Sequence, residues 1–225
     1  MKLSVIMPAY NEAGTIREAI SRVVKQKLVA ELIVINDGST DNTSKIIQSI
    51  KSKKLKTIDH PQNLGKGAAV KTGIEEARFE YILINDSDLE YDPKEIPNLV
   101  DPIIQQKAEV VYGSRFTGPR RNMFFWHSLG NKFLSFLVNL LFNTTLSDME
   151  TCYKLMPTKL ARDLKLTSDD FTIEPEITCK ILKKKNFIYE VPISYTGRTY
   201  DQGKKITWID GLKALKTIIW QRITS

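Results

Sequence analysis

The sequence predicts an α/β chain built on a mostly parallel central sheet with helices on both faces. Short, mostly apolar runs recur at residues 3–7 (interrupted only by Ser4), 32–35 and 81–84, and they lack the alternation of a sheet with one wet face. Between them lie stretches whose apolar residues fall at helical spacing. Each run closes in a cluster of Pro, Asn, Asp, Gly or Ser, the residues that turn a chain. Sheets of this kind bind ligands beyond the carboxyl ends of their strands, so these clusters should share one edge.

The elements follow in order. Residues 3–7 form a strand closed by Pro8, and a helix over about 15–25 carries Ile16, Ala19, Ile20, Val23 and Val24 inward. The strand at 32–35 ends in Asn36-Asp-Gly-Ser-Thr-Asp41, with Asp41 as the expected cap of a helix whose stripe is Ile46, Ile47 and Ile50. A weaker strand at 55–58 precedes Asn63-Leu-Gly-Lys-Gly67, which opens a helix reaching Ala77, and the strand at 81–84 comes next. Asp92 is expected to cap a helix over about 94–106, and a strand at 109–115 carries Arg115 to the ligand edge. The remainder reads as a helix over about 130–142, a strand at 151–156, a helix over about 174–184, a strand at 187–191 extended to Tyr195, and an amphipathic helix over about 207–222.

The 225 residues suit one large domain, since no repeat, linker or break in composition divides them. Lys and Arg number 33 against 26 Asp and Glu, a net charge of +7 that favours an anionic partner such as a phosphorylated substrate or an acidic membrane. No nucleic-acid-binding module is recognisable, so nucleic acid is not expected as a partner. Two cysteines, Cys152 and Cys179, make neither a disulfide framework nor a metal cluster and read as small buried apolar residues in a reducing compartment. The first residues lack the apolar region and cleavage site of a signal peptide, and no stretch reaches the roughly 18 apolar residues of a membrane span. The expected location is the cytoplasm, at most on the cytoplasmic face of a membrane.

The chemistry concentrates in Asn85-Asp-Ser-Asp-Leu-Glu90. Strand alternation would point Asp86 and Asp88 the same way, and Glu90 with them if the extended geometry continues. Such carboxylates form a hard-oxygen site for Mg2+ or Mn2+. Alone, the stretch reads equally as a solvated turn; three polar loops on one edge (8–12, 36–41 and 85–90) favour a metal-nucleotide site. Asp37 offers a carboxylate to a nucleobase or ribose. Gly65 and Gly67 either simply permit a tight helix entry or present Lys66 to a ligand. Arg115 and Arg198 have the planar fork that clamps phosphate, whereas Lys132 reads as solvated. Phe124-Phe125-Trp126 and the helix from Phe133 to Phe142 form either a buried helix or dimer interface, or a greasy groove or membrane-facing surface. His60 and His127 lack partners at metal-ligand spacing.

Pro8-Ala-Tyr-Asn-Glu12, Asn36-Asp-Gly-Ser-Thr-Asp41, Asn63-Leu-Gly-Lys-Gly67, Asp86-Ser-Asp88 and Gly113-Ser-Arg115 occur in the order typical of family-two glycosyltransferases of the GT-A fold, which the chain resembles over nearly its whole length. Ser147-Asp-Met-Glu-Thr-Cys-Tyr153, Phe171-Thr-Ile-Glu-Pro-Glu176, Gly197-Arg-Thr-Tyr200 and Gly203-Lys-Lys205 are similar to the polyprenyl-phosphate branch typified by dolichyl-phosphate mannose synthase. The resemblance implies one catalytic domain over 1–225, with a nucleotide-binding half to about 115 and an acceptor-binding half beyond. It implies a nucleotide-sugar donor, GDP-mannose or a UDP-sugar, with Pro8, Tyr10, Glu12 and Asp37 around the nucleoside and Lys66 and Asp86 completing that set. Asp86 and Asp88 match the metal-holding Asp-x-Asp motif, and Glu90 stands as a third ligand where the branch often has Gln. Arg115, Arg198 and Lys205 match phosphate-binding positions.

The implied acceptor is a polyprenyl phosphate, already anionic and in no need of a base, and the implied outcome is inversion. The catalytic set is then Asp88, Arg115, Arg198 and Asp148. For a hydroxyl acceptor Asp148 or Glu150 would be the candidate base; Glu150 reads rather as structural, and Asp148 stays open between that role and a helix or turn cap or a partner of an arginine. Many relatives carry transmembrane helices after this domain, so the chain, which stops at Ser225, is expected either to be shortened or to meet the membrane through its surface or an anchoring subunit.

Overall fold

The computed structural model describes residues 1–121, 123–199 and 207–224. Seven strands form one sheet in the order β3-β2-β1-β4-β6-β5-β7. The strands are β1 (Leu3–Ala9), β2 (Val29–Asn36), β3 (Leu55–Asp59), β4 (Tyr81–Ile84), β5 (Val110–Ser114), β6 (Lys154–Pro157) and β7 (Ile188–Pro192). β1 runs parallel to both β2 and β4, so Val5 lies opposite Leu32 on one side and Leu83 on the other. β2–β3 and β5–β7 are parallel as well. β6 is antiparallel to β4 and β5, between which it is inserted.

The uniform apolarity of the central strands has a direct cause. Alternate residues go to opposite faces, and both faces are covered. Leu3, Val5 and Met7 of β1, with Leu32 and Val34 of β2, meet helices α1 (Ile16–Val24) and α4 (Ile96–Ile104). Ile6, Ile33 and Ile35 meet α3 (Lys66–Glu76), α6 (Thr158–Asp163) and α7 (Ile173–Lys183). Each fully buried Ile or Leu contributes about 2 kcal/mol by leaving water. A third cluster joins α5 (Phe125–Phe142) and α8 (Trp208–Ile223) to α7 through Leu134, Val138, Cys179, Ala214 and Ile218. The remaining helix, α2 (Thr43–Gln48), buries Ile47.

Several expectations change. Asp41 does not cap α2, whose N-cap is Asn42; its carboxylate instead accepts from the amides of Thr43 (2.9 Å) and Ala13 (3.2 Å), joining two edge loops. Asp92 does cap, accepting from Lys94 N at 3.0 Å before a single 3-10 turn, Pro93–Glu95. α5 begins at Phe125, so the aromatic run occupies its first turn rather than a preceding loop. Both cysteines are free and buried.

Candidate functional site

The carboxyl ends of β1, β2, β4 and β5 converge on a cavity of about 1400 Å3. Pro8, Tyr10, Glu12, Asp37, Lys66, Asp86, Asp88, Glu90, Arg115 and Arg198 all line it. Lys205 lies outside the described residues. Parallel strands bring these side chains together although up to 190 positions separate them, Pro8 from Arg198.

The acidic stretch is fixed by its backbone. β4 ends at Ile84, and Asn85 extends the ladder by one bond, its amide donating to Ile6 O at 2.9 Å. The Tyr153 hydroxyl donates to Asn85 Oδ1 (2.9 Å), the Ser87 hydroxyl to Pro8 O (3.0 Å), and the Asp86 amide to Cys152 Sγ (3.3 Å). Leu89 adopts φ 64°, a left-handed conformation costly for a branched side chain, which ends the alternation after Asp88.

That turn gives Glu90 a different task from the expected third metal ligand. Its carboxylate accepts from the Tyr195 hydroxyl and the Arg198 amide, each at 2.7 Å, while its carbonyl accepts from Thr196 N at 3.0 Å. Glu90 therefore clasps residues 195–198 to the site. Among the described residues no group of three His, Cys, Asp or Glu converges as a metal-ligand set.

The two remaining carboxylates each face a cation. Lys66 Nζ lies 2.8 and 2.9 Å from the Asp86 oxygens and 3.0 Å from Glu174 Oε1. Arg198 forks onto Glu12 at 3.0 and 3.2 Å and reaches Asp88 Oδ2 at 3.3 Å. Burial works against the Lys66 ammonium, but Asp86 and Glu174 raise its pKa well above the ordinary range for lysine. Burial, then the charges of Asp86 and Glu90, push the Asp88 carboxyl up to about 7 against the pull of Arg198. Asp86 and Asp88 are hard oxygen donors in a crowded negative field, a donor pair that would fit a divalent cation.

Asp148 stands apart from the cavity. It is fully buried and binds Arg115 through Nε and Nη2, each at 2.7 Å, and through the backbone amide at 2.9 Å. Two strong bonds to a permanent cation leave it unsuited to act as a base, and they commit the fork of Arg115 to protein rather than phosphate. Tyr195 adds to the tether, its ring 5.4 Å from the guanidinium.

Asp37 is similarly engaged. It accepts from the amides of Leu64 (3.0 Å) and Gly65 (2.8 Å) and pairs with His60 Nδ1 at 2.7 Å, shaping the cavity floor by tying down residues 60–65. His60, which the sequence left without a role, continues to the Thr72 hydroxyl at 3.0 Å. Gly65 has φ 100°, and a Cβ there would strike the carbonyl of Asp169. The glycines thus permit close packing, and the packing brings Lys66 to Asp86.

Sequence reasoning missed Glu174 and Glu150 as cavity residues. Glu174 pairs with Lys66 and with the fully buried Lys154, forming a charge chain that reaches Asp86. Its signal was an acidic residue in the first turn of α7 directly after the cavity-lining Phe171.

Residues 4–165 match the family model for glycosyl transferase family 2. The chain is 30% identical over 233 residues to the UDP-N-acetylglucosamine–dolichyl-phosphate N-acetylglucosaminyltransferase of Methanococcus voltae, covering 93% of this chain and 91% of that one. It is 34% identical over 137 residues to the dolichol-phosphate mannosyltransferase of Pyrococcus furiosus, covering 59% of this chain and 39% of that one. Among solved structures, M. tuberculosis glucosyl-3-phosphoglycerate synthase superposes with a TM-score of 0.78 at 19% identity, over 98% of this chain and 80% of that one. Its complex with Mn2+, uridine diphosphate and glucosyl-3-phosphoglycerate gives a TM-score of 0.76 at 19% identity, over 98% of this chain and 79% of that one. At such identity the likeness is one of fold.

Proposed function

Because the chain belongs to glycosyl transferase family 2 and is a glycosyltransferase of the GT-A fold, we propose that it transfers a sugar from a nucleotide-sugar donor, GDP-mannose or a UDP-sugar, to a polyprenyl phosphate with inversion. One observation carries the choice of acceptor. The cavity runs from the acidic sheet edge to the beginnings of α5 and α8, where Phe124, Trp126 and Trp208 line it. A polar end beside an aromatic exit suits an acceptor with a phosphate head and a hydrocarbon tail. The named activities of the Methanococcus voltae and Pyrococcus furiosus relatives support the same class.

In this reading the half of the chain to about residue 115 binds the donor and the rest binds the acceptor. Pro8, Tyr10 and Glu12 border the nucleoside, over the floor that Asp37 ties down. Asp86 and Asp88 would hold Mg2+ or Mn2+, which when bound supplies positive charge to the donor diphosphate. Lys66 and Arg198 adjoin the same carboxylates and turn their charge to donor and acceptor phosphates, stabilising the negative charge that develops on the leaving group. Glu90 holds the Arg198 backbone in place for that task. Arg115, tethered by Asp148, contributes a fixed positive field beside Tyr195. A phosphate oxygen is anionic near neutral pH, so the commitment of Asp148 to Arg115 costs the reaction nothing. The acceptor oxygen attacks opposite the departing diphosphate.

The cytoplasmic membrane face, reached by the chain's own surface or through an anchoring subunit, is where such an acceptor would be met. The test offers radiolabelled donors together with a polyprenyl phosphate and extracts with chloroform. Label should enter the organic phase. Label found only in a water-soluble glycoside would overturn the lipid acceptor.

A further inference from the structure

Glu150 lies in the cavity wall, with Lys66, Cys152, Phe171 and Glu174 also lining the cavity. Its Oε1 is sealed from solvent and has no hydrogen-bond partner among the described residues. Two other sealed polar atoms lack one, but each keeps an opposite charge nearby: Glu174 Oε1 lies 3.0 Å from Lys66 Nζ, and Arg198 Nε lies 3.8 Å from Glu90 Oε1. Among the described residues no ion pair within 4.0 Å reaches Glu150, and Lys154 and Arg115 act on it only through their fields. A buried carboxyl oxygen without a partner costs on the order of 1–3 kcal/mol, and a cavity wall retains one where a ligand completes it.

The surroundings define that ligand. Two residues on, Cys152 Sγ accepts from the Asp86 amide at 3.3 Å, so this backbone borders the diphosphate end of the cavity. A phosphate would meet repulsion from Glu150 and Glu174 together. A neutral polyol would not, and the Phe171 ring, 5.9 Å from Lys66 Nζ, offers an apolar surface to the C–H face of a pyranose. The donor sugar is bonded to the diphosphate and therefore lies next to it. We propose that Glu150 binds the hydroxyls of the donor sugar and is a specificity-determining residue for that sugar. This rests on the glycosyl-transfer reading.

The charge state agrees. Burial raises the Glu150 pKa to about 7, with Lys154 and Arg115 pulling it down and Glu174 and Asp148 pushing it up. Near neutral pH the carboxyl is present in both forms, so it can either accept from or donate to a hydroxyl.

The test compares wild type with Glu150→Gln and Glu150→Ala, using the free nucleoside diphosphate and donors epimeric at single hydroxyls. Affinity for the nucleoside diphosphate, read by calorimetry, should stay within about twofold and also reports that each variant is folded. Donor KM should rise roughly tenfold or more in Glu150→Ala, and discrimination between epimers should fall by a similar factor, as expected when a hydrogen-bonding subsite is lost. Glu150→Gln should lie between wild type and Glu150→Ala in donor KM and epimer preference. If both variants keep the wild-type donor KM and epimer preference, the proposal fails while glycosyl transfer stands. If Glu150→Ala does not fold, Glu150→Gln decides alone: an unchanged donor KM and epimer preference overturn the proposal. Wild type that transfers no sugar from any donor overturns both readings.

Discussion

Asp148 and Arg115 occupy one buried place, and removing the negative partner leaves a guanidinium with neither water nor a counter-charge. Asp148→Asn should therefore lower unfolding free energy by about 3–5 kcal/mol, measured by denaturant titration. Loss of activity without that destabilisation would instead point to a base. Asp88 should behave oppositely. Its folded pKa of about 7 stands above the 3.8 of an exposed aspartate, so the folded state holds the proton more tightly. Stability from this group is full below 3.8 and declines as pH rises toward 7. Asp88→Asn should remove that decline, leaving the melting temperature at pH 7 to 8 equal to or above wild type while transfer falls by at least about a hundredfold. A variant that melts lower and keeps its transfer would contradict both the charge crowding and the role in catalysis. Single residues at the acidic edge were legible because Asp-x-Asp closes an apolar strand. The fate of Glu90 was not, since it turns on the left-handed backbone of Leu89, which alternation cannot foresee.

At the scale of elements, α5 and α8 carry more apolar surface than their packing consumes. Trp126 is 77% exposed and Trp208 75%, with Phe125, Phe136, Leu140 and Trp220 exposed on the same two helices. No helix among the described residues is long and apolar enough to cross a membrane. Wild type should float with anionic vesicles at low salt, and the Trp126→Ser, Trp208→Ser double variant should remain in the soluble fraction. Equal flotation of the two would remove these helices from the contact. Most helices and strands could be read from periodicity, because amphipathic stripes and double-sided burial leave clear patterns. α6 could not: it has six residues, of which only Thr158 and Ala161 are buried. The start of α5 was missed because Phe124, its N-cap residue, makes no side-chain capping bond.

At the scale of the molecule, the site exists only where both halves of the chain meet, so ligand binding and global stability should be linked. The true nucleotide sugar, at about a hundred times its Kd with Mn2+ present, should stabilise the fold by about 2.7 kcal/mol. Thermal shift across a panel of donors would identify it, and equal shifts for every donor would refute sugar selectivity. The parallel architecture and its ligand edge were evident from the apolar runs, whereas the direction of β6 was not, because a four-residue strand with three buried residues looks alike run either way. That inserted strand also sets an order of events. During synthesis β4 and β5 emerge well before residue 154, yet β6 is the strand that joins them. Until it arrives, both present open, apolar edges of the kind that pair with other chains. A nascent chain stalled before residue 154 would keep those two edges open to other chains.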